Sequence, residues 1–218
     1  MAVIAELKKA SPSRGVIRSV FDAGVLAKEL AGAGASALSV LTEEEFFQGS
    51  LDNLRNASAA TRVPCLRKDF IVDEYQLLEA RANRADAVLL IVAGLTDQEL
   101  QALQGRAREW ELDVLCEVHD AWELDRALDA GCEVIGVNSR DLRTFKVDLD
   151  TPLRLAAKIP NTVVRVAESG IQSGQDVRKL RAAGYDAFLV GECLMRAAEP
   201  GDALRSLLVE ARQAAVVS

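Results

Sequence analysis

Eight short apolar runs, each followed by a stretch of helical periodicity, recur from one end of this chain to the other. That alternation limits the possible folds more than any other feature. The runs are Val3–Lys8, Ala37–Leu41, Val63–Lys68, Ala87–Val92, Asp113–Val118, Val134–Asn138, Val163–Glu168 and Ala187–Val190. Between them, helices are expected near Asp22–Ala33, Leu51–Thr61, Asp73–Ala82, Thr96–Glu111, Asp120–Asp129, Asp150–Lys158 and Gly174–Ala183, with a last one from about Asp202 to Ala214. Nearly continuous apolar strands separated by helices predict an all-parallel sheet covered by those helices. The count of eight favours a closed (β/α)8 TIM barrel over an open doubly wound sheet. No Gly-x-Gly-x-x-Gly follows the first run, which disfavours a dinucleotide-binding fold. The chain has 218 residues and no linker, composition break or low-complexity segment, so a single domain over 1–218 is expected.

Polar residues interrupt these runs at their C-terminal ends. The first run ends in Glu6 and Lys8, two apart and therefore on one side of a strand. Burying opposite charges at the end of an apolar strand costs more than their pairing usually returns, so stability alone is a poor reason for them. Lys68 ends the third run, Glu117 lies in the fifth, Asn138 ends the sixth, and Glu168-Ser169-Gly170 closes the seventh. In a barrel these ends share one face, where active sites are built. Any one of them is equally well explained as a strand cap or structural ion pair. Two lysines, three carboxylates and an amide together exceed what capping requires. Parity on the fifth run turns Leu115 and Glu117 toward the barrel axis and Val114, Cys116 and Val118 toward the helices, which makes Cys116 a packing residue.

Ser169-Gly170 and Gly191-Glu192 follow the last two runs as small-residue turns. Glycine allows close backbone approach, and a short helix after Gly191 would present amide groups to a phosphate, which barrels frequently bind at this position. Phe46, Phe47 and Phe70 serve either as loop packing or as an apolar wall for an aromatic group. Trp110 and Trp122 fall in helical segments and are expected to pack on the barrel surface. Thr42-Glu43-Glu44-Glu45 is assigned no chemistry.

Composition narrows the functional classes. No apolar run reaches the length of a membrane helix and no basic-then-apolar leader is visible, so a cytoplasmic protein is expected. The net charge of -7, with no basic stripe, argues against nucleic-acid binding but leaves an anionic small substrate possible. Cys65, Cys116, Cys132 and Cys193 form no Cys-x-x-Cys pair and are expected to be buried free thiols. With His119 as the only histidine, no zinc site is expected.

Five segments resemble indole-3-glycerol phosphate synthase, the (β/α)8 carboxy-lyase (a decarboxylase) of tryptophan biosynthesis. They are Ile4-Ala5-Glu6-Leu7-Lys8-Lys9-Ala10-Ser11-Pro12-Ser13, Ser39-Val40-Leu41-Thr42-Glu43 and Leu66-Arg67-Lys68-Asp69-Phe70-Ile71. Gly136-Val137-Asn138-Ser139-Arg140-Asp141-Leu142 and Ala167-Glu168-Ser169-Gly170-Ile171 complete the series. The resemblance implies ring closure, decarboxylation and dehydration of 1-(2-carboxyphenylamino)-1-deoxyribulose 5-phosphate, with no metal, nucleotide or other cofactor. It implies Lys68 as general acid, Glu117 as acid/base partner, and Lys8 as anchor of the substrate carboxylate or a second acid. Glu6, Asn138 and Glu168 would orient the lysines and bind substrate hydroxyls. Ser11, Ser169, Gly170, Gly191 and the Glu192 backbone would hold the phosphate, with Arg140 also on the substrate. Phe47, Phe70 and Leu89 would line the anthranilate pocket. A buried lysine suits the acid role when burial or another cation lowers its pKa toward neutrality.

Two departures accompany the resemblance. Family members usually carry an N-terminal segment whose helix covers the barrel mouth, and here Met1 abuts the first run. Glu192 stands where some relatives have serine, and its side chain is expected to turn away from the dianion. Among sister phosphate-binding barrels, an epimerase-type metal centre would need several histidines. The phosphoribosylanthranilate isomerase pattern would put cysteine where Lys8 stands. The reading from another class is a cap-deleted barrel that binds the phosphate ligand, or serves as a partner subunit, without turnover. A monomer is favoured.

Overall fold

The computed structural model describes residues 1–141 and 146–213. Leu142, in the fourth motif, and Ala214, at the expected end of the last helix, lie outside the described residues. Eight parallel strands close into a barrel: β1 (Ala2–Leu7), β2 (Ala37–Leu41), β3 (Cys65–Lys68), β4 (Ala87–Ile91), β5 (Asp113–Val118), β6 (Val134–Asn138), β7 (Val164–Glu168) and β8 (Ala187–Val190). Each strand pairs with the next in chain order, and β8 pairs back with β1 through Ala5 opposite Val190. This is the TIM barrel expected from the alternation.

The helices are α1 (Ala23–Gly32), α2 (Leu51–Ala60), α3 (Glu74–Ala82), α4 (Asp97–Glu109), α5 (Ala121–Asp129), α6 (Asp150–Ala156) and α7 (Gly174–Ala182). A short α8 (Glu192–Arg196) and a final α9 (Pro200–Arg212) follow β8. Several start where a small polar side chain accepts a backbone N–H. Asp22, Ser50, Asp73, Thr96, Asp120 and Ser173 all cap in this way, each contributing roughly 0.5–2 kcal/mol. The last helix starts earlier than its periodicity suggests because Pro200 occupies its first turn, where proline's fixed φ is already helical. The third strand starts later than its apolar run because Pro64 has no N–H to donate to a sheet.

Alternation along the strands sorts the interior into two layers. Residues facing outward, such as Leu38, Cys116, Ile135 and Phe188, pack under the helices in one continuous core. Residues facing inward, Leu66, Leu89, Leu115, Val166 and Leu189, fill the barrel axis as a separate plug. Leu115 and Cys116 thus fall on the faces their parity assigns. Cys65, Cys116 and Cys132 are buried free thiols and Cys193 is half-buried. Trp110 and Trp122 lie largely exposed on the helical shell, with the Arg126 guanidinium 4.6 Å over the Trp122 ring. Among the described residues no helix is long and apolar enough to cross a membrane. Above the inward plug, toward the strand C-termini, the inward positions turn polar.

Candidate active site

The polar positions open into a cavity of about 1180 Å³ lined by Glu6, Lys8, Lys68, Glu117, Asn138 and Glu168, all expected from the strand ends. Phe47, Phe70, Leu89, Arg140, Ser169, Gly170, Gly191 and Glu192 line it too. Ser11 does not. It is buried in a two-residue antiparallel pair opposite Gly15, so the tight turn sends Ser13 and Arg14 to the cavity in its place. Phe46 is exposed and outside the cavity, whereas the rings of Phe47 and Phe70 lie 6.5 Å apart at 48° and form one wall.

Lys68 stands at the centre. Its ammonium donates to Glu117 Oε2 at 3.0 Å and to Glu168 Oε2 at 2.6 Å, bridging strands β3, β5 and β7. Lys8 pairs with Glu6 at 2.5 Å on the next part of the rim. Two glycines make room for these carboxylates. A Cβ at Gly136 on β6 would overlap the Glu168 carboxylate, and a Cβ at Gly191 would overlap that of Glu6. Glu6, Glu117 and Glu168 are all buried. Oε1 of Glu168 is buried against Gly136 and has no hydrogen-bond partner among the described residues.

This packing of charge sets the protonation states. Burial pushes the Lys68 ammonium toward the neutral amine, but Glu117, Glu168 and Glu6 together outweigh it and hold the pKa above the ordinary lysine value. The lowering that would suit a lysine to acid catalysis near neutrality is therefore not what burial achieves here. Among the described residues, its ion-pair partners are the carboxylates of Glu117 and Glu168. Burial also pushes Glu117 up, yet Lys68, His119 and the Asn138 amide overcome it and leave the carboxyl well below its usual range. Glu168 goes the other way. Burial is its largest influence, Lys68 offsets part of that, the Glu117 charge adds to it, and the pKa is raised to about 7. One carboxylate of the pair is thus ionised, and the other titrates near neutrality. Like charges sharing a site separate in this way.

The phosphate end combines several features. Ser169 and Gly170 have φ of 64° and 77°, a left-handed turn that exposes backbone toward the cavity. Gly170 is required there, since a Cβ would meet Val147 Cγ1 at 2.5 Å. Helix α8 begins at Gly191 without a side-chain cap, as expected of a segment that offers its amides to a ligand. Glu192 does not turn away from the site. Its carboxylate faces Arg14, Arg140 and Arg196 at 3.2, 3.6 and 3.7 Å, and all three arginines line the cavity. Three guanidiniums thus cluster around one carboxylate at this end.

Arg196 and Ser13 are joined by further contributors that escaped the sequence. Arg14 sits in a loop with no periodicity to orient it. Glu43 lines the cavity and its carboxylate accepts the backbone N–H groups of Glu45, Phe46 and Phe47 at 2.9, 2.8 and 3.0 Å, which sets the Phe47 wall. His119 lies 3.3 Å from Glu117. A signal for it was present, because it stands two residues past Glu117, the spacing that joins Glu6 to Lys8.

A sequence model described as "Indole-3-glycerol phosphate synthase" matches residues 1–207. A protein of that name from Koribacter versatilis (strain Ellin345) is 60% identical over 208 residues, covering 95% of this chain and 80% of the relative. One from Acidithiobacillus ferrooxidans (strain ATCC 53993 / BNL-5-31) is 54% identical over 209 residues, covering 96% and 80%. Among solved structures, a 3-hexulose-6-phosphate synthase superposes with a TM-score of 0.77 at 15% identity, covering 96% of this chain and 99% of that one. A thiamine phosphate pyrophosphorylase from Pyrococcus furiosus gives 0.72 at 17% identity, covering 96% and 94%. At such identities these two speak to the fold alone.

Proposed function

The chain belongs to the indole-3-glycerol phosphate synthase family, the carboxy-lyases of tryptophan biosynthesis, and from this premise we propose how its barrel mouth divides the work. The substrate is 1-(2-carboxyphenylamino)-1-deoxyribulose 5-phosphate. Its phosphate sits on the Ser169-Gly170 turn and the start of α8, drawn by Arg14, Arg140 and Arg196. Its aromatic ring lies against Phe47, Phe70 and Leu89, and its carboxylate faces Lys8. The ketone then reaches Lys68.

The observation that carries this reading is Lys68 bridging Glu117 and Glu168 at the cavity floor. Attack of the aromatic ring on a ketone places negative charge on the carbonyl oxygen, and a preorganised ammonium in a dry site stabilises it. Lys68 supplies that charge and a proton. Glu168, raised to about 7, holds a proton that can return to Lys68 after the transfer. Glu117, held ionised, takes up the proton that leaves the methylene carbon beside the nitrogen as water departs. Loss of CO₂ restores aromaticity and needs only a poorly solvated carboxylate anchored at Lys8.

Fluorescence-detected formation of indole-3-glycerol phosphate from the synthetic substrate tests the reading. Steady turnover is expected, and folded protein giving no product above background would overturn it. The Glu168 role makes a separate prediction about pH. Its protonated form is the active one, so kcat is expected to fall as pH rises through about 7. In Glu168→Gln that limb should vanish, leaving a lower and flatter profile. A wild-type limb in Glu168→Gln would remove Glu168 from the proton path.

A further inference from the structure

Glu117 has a second oxygen that the chemistry above leaves unassigned. Oε2 is on Lys68, while Oε1 faces the imidazole Nε2 of His119 at 3.3 Å. His119 follows β5 directly, and its side chain is only 14% exposed. The other ring nitrogen is anchored. Nδ1 lies 2.9 Å from Glu123 Oε2, and the same oxygen accepts the backbone N–H of His119 at 2.7 Å. Glu123 is itself buried in the first turn of α5, with its N–H donated to the Asp120 cap at 2.9 Å. The ring plane is thus fixed from the helical side and its free nitrogen is aimed at the active site.

The charged groups that face this imidazole are Glu117 from β5 and Glu123 from α5, with Lys68 of β3 beyond Glu117. Burial pulls the ring toward neutrality, but hydrogen bonding and charge from the two carboxylates prevail and raise its pKa to about 10. The Nε2 contact is not a well-aligned hydrogen bond, since that atom has no partner meeting hydrogen-bond geometry among the described residues. A small rotation of the Glu117 carboxylate would align it, and catalytic contacts commonly tighten in this way once substrate is bound.

We propose that His119 is a positioning residue: as an imidazolium held by Glu123, it grips Glu117 Oε1 and keeps Oε2 on Lys68. This rests on Glu117 acting as the ionised base. The Glu123–His119–Glu117–Lys68 series then runs from the helical shell to the substrate with alternating charge. No bond is made or broken at His119. Its effect is to fix the orientation of Glu117 and its readiness to accept a proton.

The test uses the two conservative replacements of unequal reach. Asparagine places its amide near Nδ1 and keeps the Glu123 contact, whereas glutamine reaches toward Nε2 and keeps an N–H for Glu117. His119→Asn is expected to lower kcat about 10- to 100-fold, as loss of a group that orients a reacting residue commonly does, with KM little changed. The acidic limb of its kcat profile should move to higher pH, because Glu117 has lost a cation. His119→Gln should recover part of the rate. Unchanged kcat and acidic limb in His119→Asn, with Glu117→Gln inactive, would overturn the proposal and leave the role of Glu117 standing. Activity in Glu117→Gln would instead overturn the reading beneath it.

A second measurement does not depend on turnover. The sequence holds one histidine, so the imidazole NMR signals of tag-free protein belong to His119 alone. They are expected to remain those of imidazolium well above the ordinary value of about 6.5, and to titrate lower in Glu117→Gln. Titration at the ordinary value in the wild-type protein would overturn the proposal.

Discussion

Lys68→Ala is expected to lower kcat by at least about 10²- to 10⁴-fold, the usual weight of a positioned proton donor, and to weaken the fold as well. The two effects share a cause. With the ammonium gone, Glu117 and Glu168 face each other in a buried site, and removing one partner of a buried ion pair costs about 3–5 kcal/mol. The sign with pH follows from which state holds the proton. Both carboxyls would have folded pKa values above their unfolded ones, so the folded state binds more protons than the unfolded chain in that interval. Their favourable contribution is full below the unfolded carboxyl value and is lost as pH rises through the raised folded values. Urea unfolding of Lys68→Ala should therefore come nearest to wild-type stability in acid, with a deficit that grows as pH rises above the ordinary carboxyl range. A deficit independent of pH would show that Lys68 does not hold these carboxylates together.

Glu117→Gln should be as damaging to turnover, again by about 10²- to 10⁴-fold, with little loss of stability. The amide keeps the shape and can still accept from Lys68, which keeps Glu168 as its anionic partner, while His119 keeps Glu123. Its electrostatic consequence falls on Glu168. Charge repulsion from Glu117 is one reason the Glu168 carboxyl is raised, and Lys68 would then have one fewer anionic partner. The Glu168 pKa is expected to drop below about 7, which carboxyl-directed infrared or NMR titration can read. Near wild-type kcat in Glu117→Gln, or an unmoved Glu168 titration, would refute the division of roles between the two glutamates.

The rim is legible in the sequence because a strand has a period of two. Once the third, fifth and seventh runs were read as barrel strands, Lys68, Glu117 and Glu168 had to lie at one end, and parity turned Leu115 and Glu117 inward together. Three kinds of information do not travel that way. Charge balance depends on neighbours from different strands, so the three carboxylates around Lys68 and the resulting rise in its pKa are visible only once the barrel closes. Loop conformation has no period, so the sequence does not distinguish Ser11 from Ser13 and Arg14, which line the cavity, or place Glu192 among arginines. His119 had the correct spacing from Glu117 but lies just past the strand end, and its link to Glu123 exists only because α5 folds back.

The glycine at 136 carries a consequence for how this site can change. Any side chain there collides with the Glu168 carboxylate, so drift or engineering cannot alter position 136 first. Once position 168 is shortened, the same space becomes a vacancy that a larger residue at 136 can fill. The two positions therefore form an ordered pair, in which a substitution that is destructive on one background is restorative on the other. Libraries that vary them singly would miss the route, and the mouth of this barrel would look more resistant to redesign than it is.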